Sequence, residues 1–306
     1  MQATLARSVS FKGFGLHSGL PVRLRIDPAP AGHGIVFRRI DLPAGSGVIP
    51  ALPEFWTEAR LCTRLENAAG ASVATIEHLM AALAGAGIHN AFVLLDGPEV
   101  PILDGSAAPY LRRFQAVGLH VQSAPLEVIR VLRPVEVRSG DALARLEPAD
   151  SFRMRFEIDF PDAAIGRQSK DIDLANGAFA DHLADSRTFC RRADVEAMQA
   201  AGLALGGSYE NAIVVEGASV LSPGGLRHAD EPVRHKMLDA LGDLAVAGAP
   251  ILGRYLGVRA GHALTGRLVQ ALLADPSSHV REVCSPSCRR RLPGNVRTLA
   301  DLPMTA

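Results

Sequence analysis

The stretch Arg153-Met-Arg-Phe-Glu-Ile-Asp-Phe160 carries the clearest strand pattern in the chain, because its apolar residues alternate with charged ones. A period of two predicts a strand with one buried face. Further along, residues 231–246 carry a helical pattern with Pro232 in the first turn, where proline is tolerated. Strand and helix patterns are mixed in this way in both halves without a regular strand–helix alternation. The sequence therefore predicts the α+β class.

The other segments extend this pattern outward in both directions. Further strands are predicted at residues 21–27, 34–40, 60–65, 72–75, 91–95, 126–132, 212–215 and 251–258, and further helices at 75–84, 106–117, 193–201 and 261–274. A short polar connection at 120–125 is the predicted domain boundary. His78-Leu-Met80 and His235-Lys-Met237 form a faint internal echo, each in a predicted helix followed by glycine and an apolar strand. The echo is typical of a duplicated unit.

Composition excludes several classes of protein. The chain has 306 residues, enough for about two domains. Its 32 basic and 32 acidic residues leave no net positive charge that would favour nucleic acid. Four cysteines are too few for a disulfide-stapled scaffold, and no apolar run is long enough for a transmembrane helix or a signal peptide. We expect a cytoplasmic protein with reduced thiols.

His235 and Asp239 are the first candidates for chemistry. They are four residues apart, so on a helix they lie on one face and can share a metal ion. Asp243 follows one turn later on that face. The alternative is a polar helix stripe with a structural His–Asp pair.

Glu77 and His78 are adjacent at the start of a predicted helix, so their side chains diverge by about 100°. A division of labour fits better than two ligands to one ion: His78 as the ligand and Glu77 as a base. The alternative for Glu77 is an exposed acid favoured by the helix dipole. His262, after Gly261, is a candidate acid or base, or else a helix cap.

Two further motifs carry weaker signals. The turn Gly13-Phe-Gly-Leu-His17-Ser-Gly19 is rich in glycine, but its spacing fits neither common phosphate-binding fingerprint. Cys284 and Cys288, with His279, do not have a standard zinc spacing, so we expect a mobile tail with exposed thiols. Cys62 is either a residue near the metal or a small buried side chain.

Seven motifs together resemble one family. They are Gly13-Phe-Gly-Leu-His-Ser-Gly19, Thr75-Ile-Glu-His-Leu-Met80, Asp96-Gly-Pro-Glu-Val-Pro-Ile-Leu-Asp-Gly-Ser-Ala-Ala-Pro109, Ser186-Arg-Thr-Phe189, Gly206-Gly-Ser208, Val233-Arg-His-Lys-Met-Leu-Asp239 and Gly261-His-Ala-Leu264. In this order and spacing, over roughly residues 2–275, the chain resembles the UDP-3-O-acyl-N-acetylglucosamine deacetylases. These are zinc hydrolases at the committed step of lipid A biosynthesis.

The resemblance implies a specific architecture. The family fold is a two-domain sandwich of duplicated β-α-α-β units, whose helices pack face to face with the active site between the domains. In this chain the first domain would span residues 1–122 and the second 126–280, with an acyl-chain passage insert at about 189–208. Residues 281–306 would form a C-terminal tail that the resemblance does not cover.

The resemblance also assigns roles to individual residues. His78, His235 and Asp239 would bind Zn²⁺, with Glu77 as general base. Thr188 would help to hold the oxyanion, and His262 would protonate the leaving amine with Asp243 as its partner. Lys236 would meet the oxyanion or the diphosphate.

Substrate binding is implied for a second set of residues. The nucleotide sugar would contact His17, Asp159, Phe160 and Arg259, and the acyl chain would contact Phe189, Val195, Ala204, Gly207 and Ser208. Arg259 stands where we expect a lysine, which keeps the charge. Ala142 stands where a second lysine is expected, and Arg138 is the candidate to replace it.

The implied reaction is hydrolysis of the N-acetyl group of UDP-3-O-(3-hydroxyacyl)-N-acetylglucosamine by a cytoplasmic monomer. The implied partner of the protein is this substrate, a small-molecule, lipid-linked UDP-sugar. Two alternatives stay open: a zinc amidohydrolase of the same fold acting on another N-acyl amino sugar, and a nucleotide-sugar binding or regulatory protein in which the His–Asp pair is structural.

Overall fold

The computed structural model of the chain describes residues 1–294. In chain order, the first half contains β1 Ala3–Leu5, β2 Val9–Phe14, β3 Pro21–Pro28, β4 Ile35–Arg39, β5 Val48–Pro50, β6 Trp56–Thr57, β7 Arg64–Glu66, β8 Ser72–Ala74, α1 Glu77–Ala86, β9 Ala91–Leu95, α2 Ala108–Val117 and β10 Leu119–Val121. Mixed strands and helices continue after residue 121, so the predicted α+β class is confirmed.

The second half begins with five strands, and its last element in the described residues is a short helix. Its elements are β11 Glu127–Val131, β12 Val135–Ser139, β13 Ala142–Glu147, β14 Arg153–Asp159, β15 Arg167–Asp173, α3 Ala178–His182, β16 Phe189–Arg191, α4 Arg192–Ala200, β17 Ile213–Glu216, β18 Ser219–Val220, α5 Glu231–Leu244, a 3₁₀ turn Ala245–Ala247, β19 Ile251–Leu252, β20 Arg254–Val258, α6 His262–Ala274, β21 His279–Val283 and α7 Pro286–Arg289.

Each half contains a five-stranded sheet, and the two sheets have the same order. The first runs β2-β3-β9-β4-β5 and the second β12-β13-β20-β14-β15. In each sheet one strand lies between the second and third strands of that sheet in chain order: β9, which follows α1, and β20, which follows α5. Each is antiparallel to the second strand and parallel to the third.

The helices of the two halves contact each other. α1 packs on α5, α2 packs on α1, and α6 packs on α5. At the closest approach, a Cβ added to Gly242 on α5 would lie 2.0 Å from the carbonyl oxygen of Glu77 on α1. Glycine is therefore required there, and the close contact fixes the first turn of α1 against α5.

The predicted strand at 251–258 is divided in two. β19 pairs with β11, whereas β20 pairs with β13 and β14 in another sheet. The change of sheet falls at Gly253, where an added Cβ would come within 2.8 Å of the Val131 side chain. Glycine in a strand pattern is a frequent mark of such a bend. The strand predicted at 60–65 is also shorter than expected, because only its end lies in β7.

The C-terminal segment is more ordered than the sequence suggested. β21 pairs along the whole length of β11. Cys284 and Cys288 are buried in a small apolar cluster with Leu126, Leu252 and Leu292. The expectation of exposed thiols on a mobile tail is therefore wrong for both cysteines. The sequence did not predict β21, because this polar strand has no clear alternation of apolar and polar residues. The rest of the predicted tail, residues 295–306, lies outside the described residues.

Two predictions about absences can be compared with the described part of the chain. Across residues 1–294, no helix is long and apolar enough to cross a membrane. In that same range, the cysteines and His279 do not form a candidate metal cluster.

Candidate active site

The three predicted metal ligands meet between α1 and α5. His78 lies in the first turn of α1, and His235 and Asp239 lie one turn apart on α5. The ligand atoms of the three residues are within 4.8 Å of one another. The Asp239 Oδ1 atom is 3.1 Å from His235 Nε2 and 3.4 Å from His78 Nε2. All three side chains are buried, so the arrangement is a preformed cluster.

The hydrogen bonds around this cluster fit a bound divalent cation. The Nδ1–H group of His235 donates to the carbonyl oxygen of Ser186 at 2.9 Å, which leaves the Nε2 lone pair facing the cluster. Asp239 Oδ1 is buried and has no hydrogen-bond partner, whereas its Oδ2 accepts from Lys236 Nζ at 2.8 Å. Two imidazoles and a carboxylate are a ligand set typical of catalytic zinc.

Glu77 is beside the cluster and is itself buried. Its Oε2 atom accepts a hydrogen bond from the backbone N–H of Thr63 at 3.0 Å. Burial raises the pKa of Glu77 to about 7, although the positive charge of His262 opposes that shift. A carboxyl group with a pKa near neutrality can accept a proton readily at the pH of the cell. The alternative of an exposed first-turn acid does not fit the 3% exposure of this residue.

His262 forms a pair with Asp243 close to the cluster. Its Nδ1 atom is 3.1 Å from Asp243 Oδ2, and its Nε2 atom is 3.9 Å from Asp239 Oδ2. Burial lowers the pKa of His262, but the carboxylates of Asp243 and Glu77 outweigh it and raise this pKa to about 9. A protonated imidazole therefore faces the cluster at neutral pH.

Lys236 and Thr188 lie near the cluster with different partners. The ammonium group of Lys236 donates a hydrogen bond to Asp239 Oδ2 at 2.8 Å. Burial lowers the pKa of Lys236, but Asp239 and Asp243 outweigh it and raise that pKa. Thr188 is half-buried, and its backbone N–H donates to the Gly105 carbonyl oxygen at 2.8 Å.

His17 is held by a residue that the sequence did not single out. Glu99 is buried and accepts hydrogen bonds from the backbone N–H groups of His17 and Ser18, both at 2.8 Å. The Thr75 hydroxyl donates to the same carboxylate at 2.7 Å. Burial lowers the pKa of His17, so its ring favours the neutral form. Only its place within the Asp96–Pro109 motif could have pointed to Glu99.

Phe160, predicted to bind the sugar, and Phe189, predicted to bind the acyl chain, lie together, whereas the predicted sugar-binding residues Asp159 and Arg259 lie elsewhere. The Phe189 ring lies 6.3 Å from the His235 ring and 5.3 Å from the Phe160 ring, next to the cluster. Asp159 and Arg259 are exposed or nearly so and form an ion pair at 2.7 Å. They do not contact the cluster.

Arg138, the candidate to replace the lysine expected at Ala142, has another partner. Ala142 begins β13, and Arg138 is bonded to Glu136 at 2.6 Å. Cys62 is buried but is not part of the metal cluster, and burial raises its pKa to about 12.

The predicted passage insert packs against the loop that carries His17. An added Cβ on Gly206 would lie 2.2 Å from the Gly15 carbonyl oxygen. None of the residues of α4 is fully buried; Val195 is half-buried, and Gly207 and Ser208 are exposed. Ala204 is half-buried and adopts a positive φ of 55°. The residues predicted to contact the acyl chain are therefore half-buried or exposed.

A cavity of about 520 Å³ lies away from the cluster. It is lined by the far ends of α1 and α5, including Leu83 and Leu244, with His33 and His89 at its rim. None of the residues predicted for the site lines it.

Comparisons with known proteins give one consistent result. The family profile described as UDP-3-O-acyl N-acetylglycosamine deacetylase matches residues 2–274. A protein of Phenylobacterium zucineum named UDP-3-O-acyl-N-acetylglucosamine deacetylase is 50% identical over 277 residues, which is 90% of this chain and 94% of that protein. Proteins with the same name from Anaeromyxobacter dehalogenans and Myxococcus xanthus are 50% and 48% identical, covering 95% and 96% of this chain and 95% and 92% of their own lengths.

Proposed function

This chain belongs to the UDP-3-O-acyl N-acetylglycosamine deacetylase family, and from that premise we propose that it removes the N-acetyl group of UDP-3-O-(3-hydroxyacyl)-N-acetylglucosamine as a step of lipid A biosynthesis. The products are acetate and UDP-3-O-(3-hydroxyacyl)-glucosamine. The observation that carries the proposal is the buried cluster of His78, His235 and Asp239, with the buried Glu77 and the His262–Asp243 pair beside it. A purely structural His–Asp pair would not require a third buried ligand from another helix.

The proposed architecture is a two-domain sandwich of duplicated β-α-α-β units. It is supported by the equal order of the two five-stranded sheets and by the contact of α1 with α5 between them. Under this proposal the domains span residues 1–122 and 126–280, and the site lies where their helices face each other. The duplication explains why His78 and His235 occur in equivalent motifs.

We assign the metal to zinc on the basis of its donor set. His78 Nε2, His235 Nε2 and an oxygen of Asp239 would hold Zn²⁺ and leave a position open. Zinc bound there would polarise the acetamide carbonyl as a Lewis acid and acidify the attacking water.

Glu77 and His262 divide the proton transfers. The Glu77 carboxylate accepts a proton from a water molecule. At the same time, the oxygen of that water forms a bond to the acetamide carbon. The imidazolium of His262 then donates its Nε2 proton to the sugar nitrogen as the carbon–nitrogen bond breaks. Asp243 holds the Nδ1–H group of the ring and favours its charged form. The two groups exchange protons with solvent before the next turnover.

The remaining residues bind and orient the substrate. Thr188 and Lys236 would stabilise the oxyanion of the tetrahedral intermediate, Lys236 by turning from Asp239 towards the substrate. Phe189, Val195, Ala204, Gly207 and Ser208 would accept the acyl chain, and His17, Asp159, Phe160 and Arg259 the nucleotide sugar. We propose a cytoplasmic monomer that takes this amphiphilic molecule as its partner.

Product analysis tests the proposal. The zinc-loaded protein is incubated with UDP-3-O-(3-hydroxyacyl)-N-acetylglucosamine, and the product is identified by mass spectrometry. We expect the loss of one acetyl group and the release of acetate. An unchanged acylated substrate, together with deacetylation of a different N-acyl amino sugar, would instead support the related amidohydrolase.

A further inference from the structure

We propose that Thr63 is a positioning residue that fixes the general base and the general acid relative to each other. The inference rests on the proposed function, because it presumes that Glu77 and His262 carry the two proton transfers. Thr63 belongs to none of the seven motifs of the sequence analysis. Its partners are 14, 180 and 199 residues away in the chain, so sequence spacing could not have identified it.

Thr63 contacts both catalytic groups at once. Its backbone N–H donates to Glu77 Oε2 at 3.0 Å. Its hydroxyl donates to Asp243 Oδ1 at 2.5 Å and lies 3.3 Å from Nδ1 of His262. A single residue therefore joins the base on α1 to the acid pair on α5 and α6.

The bond to Asp243 determines how His262 is oriented. Oδ2 of Asp243 is 3.1 Å from the His262 ring, and Oδ1 accepts from Thr63. With both oxygens engaged, the carboxylate cannot rotate without breaking a charge-assisted hydrogen bond. The orientation of the carboxylate plane in turn sets the direction of His262 Nε2 towards the cluster.

Thr63 is itself rigid. It is 1% exposed and lies immediately before β7, which pairs with β6 and β8. Its carbonyl oxygen accepts from the N–H of Ile76, the residue before α1. All three polar groups of Thr63 are therefore hydrogen-bonded. The backbone N–H and carbonyl groups bond to α1 and the residue before it, and the hydroxyl bonds to Asp243. Such support of a catalytic group by a packed neighbour is what keeps its geometry productive.

Removal of the hydroxyl alone is the direct test. Thr63→Val keeps the shape of the side chain and the backbone N–H to Glu77 but cannot bond Asp243. We expect kcat to fall at least about tenfold, with KM for the acylated UDP-sugar within about twofold of wild type and zinc content unchanged. Thr63→Ser restores the hydroxyl, so its kcat should return to within about threefold of wild type.

A double-mutant cycle distinguishes positioning from a general loss of packing. In the Asp243→Ala background the hydroxyl has no carboxylate to hold, so Thr63→Val should change kcat less than about twofold. Equal losses in both backgrounds, or a Thr63→Val enzyme as fast as wild type, would overturn the inference. If Thr63→Val does not fold, Thr63→Ala is compared with Thr63→Ser on the same criteria.

The control for the proposed function is the wild-type enzyme. If wild type does not deacetylate the acylated sugar, the proposed function is wrong. If wild type is active and the Thr63 variants behave as wild type, only the positioning role is wrong.

Discussion

The surroundings of Glu77 and His262 shift the pKa of each side chain towards the value that its proposed proton transfer needs. Burial raises the pKa of Glu77 to about 7. Burial lowers the pKa of His262, but Asp243 and Glu77 outweigh it and raise that pKa to about 9. A cation held at His78 would favour the carboxylate form of Glu77 and so lower its pKa. Between about pH 7 and pH 9, Glu77 is therefore ionised and His262 is protonated.

We expect a bell-shaped dependence of kcat/KM on pH. Activity rises with pH as Glu77 loses its proton, and it falls as pH passes about 9 because His262 loses the proton that it must donate. Replacement of His262 by Gln should remove most activity and the alkaline limb of the residual rate. The measurement is kcat/KM from pH 5 to 10, and a His262→Gln enzyme that kept both limbs would assign the alkaline ionisation to another group.

At this scale, the sequence was sufficient where helical period alone brought residues together. His235, Asp239 and Asp243 are spaced by four, so a helix places them on one face whatever surrounds it. Thr63 and Glu99 act through partners on distant elements. Their roles depend on how sheets and helices pack, which local spacing does not encode.

Among the secondary-structure elements, α1 and α5 are in close contact at Gly242, near the site. Gly242→Ala would gain up to about 1 kcal/mol from helix propensity. Its added methyl group would lie 2.0 Å from the Glu77 carbonyl oxygen, which forces the helices apart. We expect a net loss of about 1–2 kcal/mol in the free energy of unfolding and a kcat lower by about tenfold or more. Urea unfolding and kinetics measure the two effects.

Gly97→Ala is the matched control for this substitution. Its added methyl group would meet the Val22 side chain at 3.5 Å, an ordinary contact. We expect little change in stability or kcat. A Gly242→Ala enzyme that is as stable and active as the control would show that close helix packing at Gly242 is not needed.

The insert between β16 and β17 carries the prediction on substrate choice. Each CH₂ of an acyl chain buried there contributes about 0.8 kcal/mol. Half of that over ten carbons is about 4 kcal/mol, or roughly a thousandfold in kcat/KM. UDP-N-acetylglucosamine without the chain should therefore be a very poor substrate. Kinetics on the two sugars test this, and a ratio below about ten would contradict the passage assignment.

Gly207→Phe tests the same element from the side of the protein. Its added side chain would start 3.2 Å from the Ala204 carbonyl oxygen and close to Leu16. We expect the preference for the acylated sugar to shrink while zinc stays bound.

Sequence patterns located the helices near the site better than they located the strands. α1, α5 and α6 were predicted within a few residues of their observed bounds, because each has a long helical pattern with glycine or proline at an end. Among the strands that the sequence did not predict, β15 and β21 are rich in charged residues and lie at sheet edges. The split at Gly253 depends on two sheets competing for neighbouring residues, which only the packed structure reveals.

At the scale of the whole molecule, the proposed metal site joins the two halves of the chain. His78 comes from the first half, and His235 and Asp239 come from the second. A metal that binds only this folded arrangement stabilises it, by about 2.7 kcal/mol at a free concentration one hundred times Kd. Chelation of zinc should lower Tm by roughly 5 °C. Added zinc should restore Tm for wild type but not for His78→Ala, and an unchanged Tm would separate metal binding from folding.

Zinc content per chain tests most directly whether His78 is a metal ligand and the adjacent Glu77 is not. Wild type and Glu77→Ala should each contain close to one zinc ion per chain, because Glu77 is not one of the three proposed ligands. His78→Ala, His235→Ala and Asp239→Ala each remove one of three ligands, so each should lose most of the metal. Glu77→Ala should be inactive although its zinc is retained. Metal-free Glu77→Ala protein, or full zinc occupancy in all three ligand variants, would contradict the account.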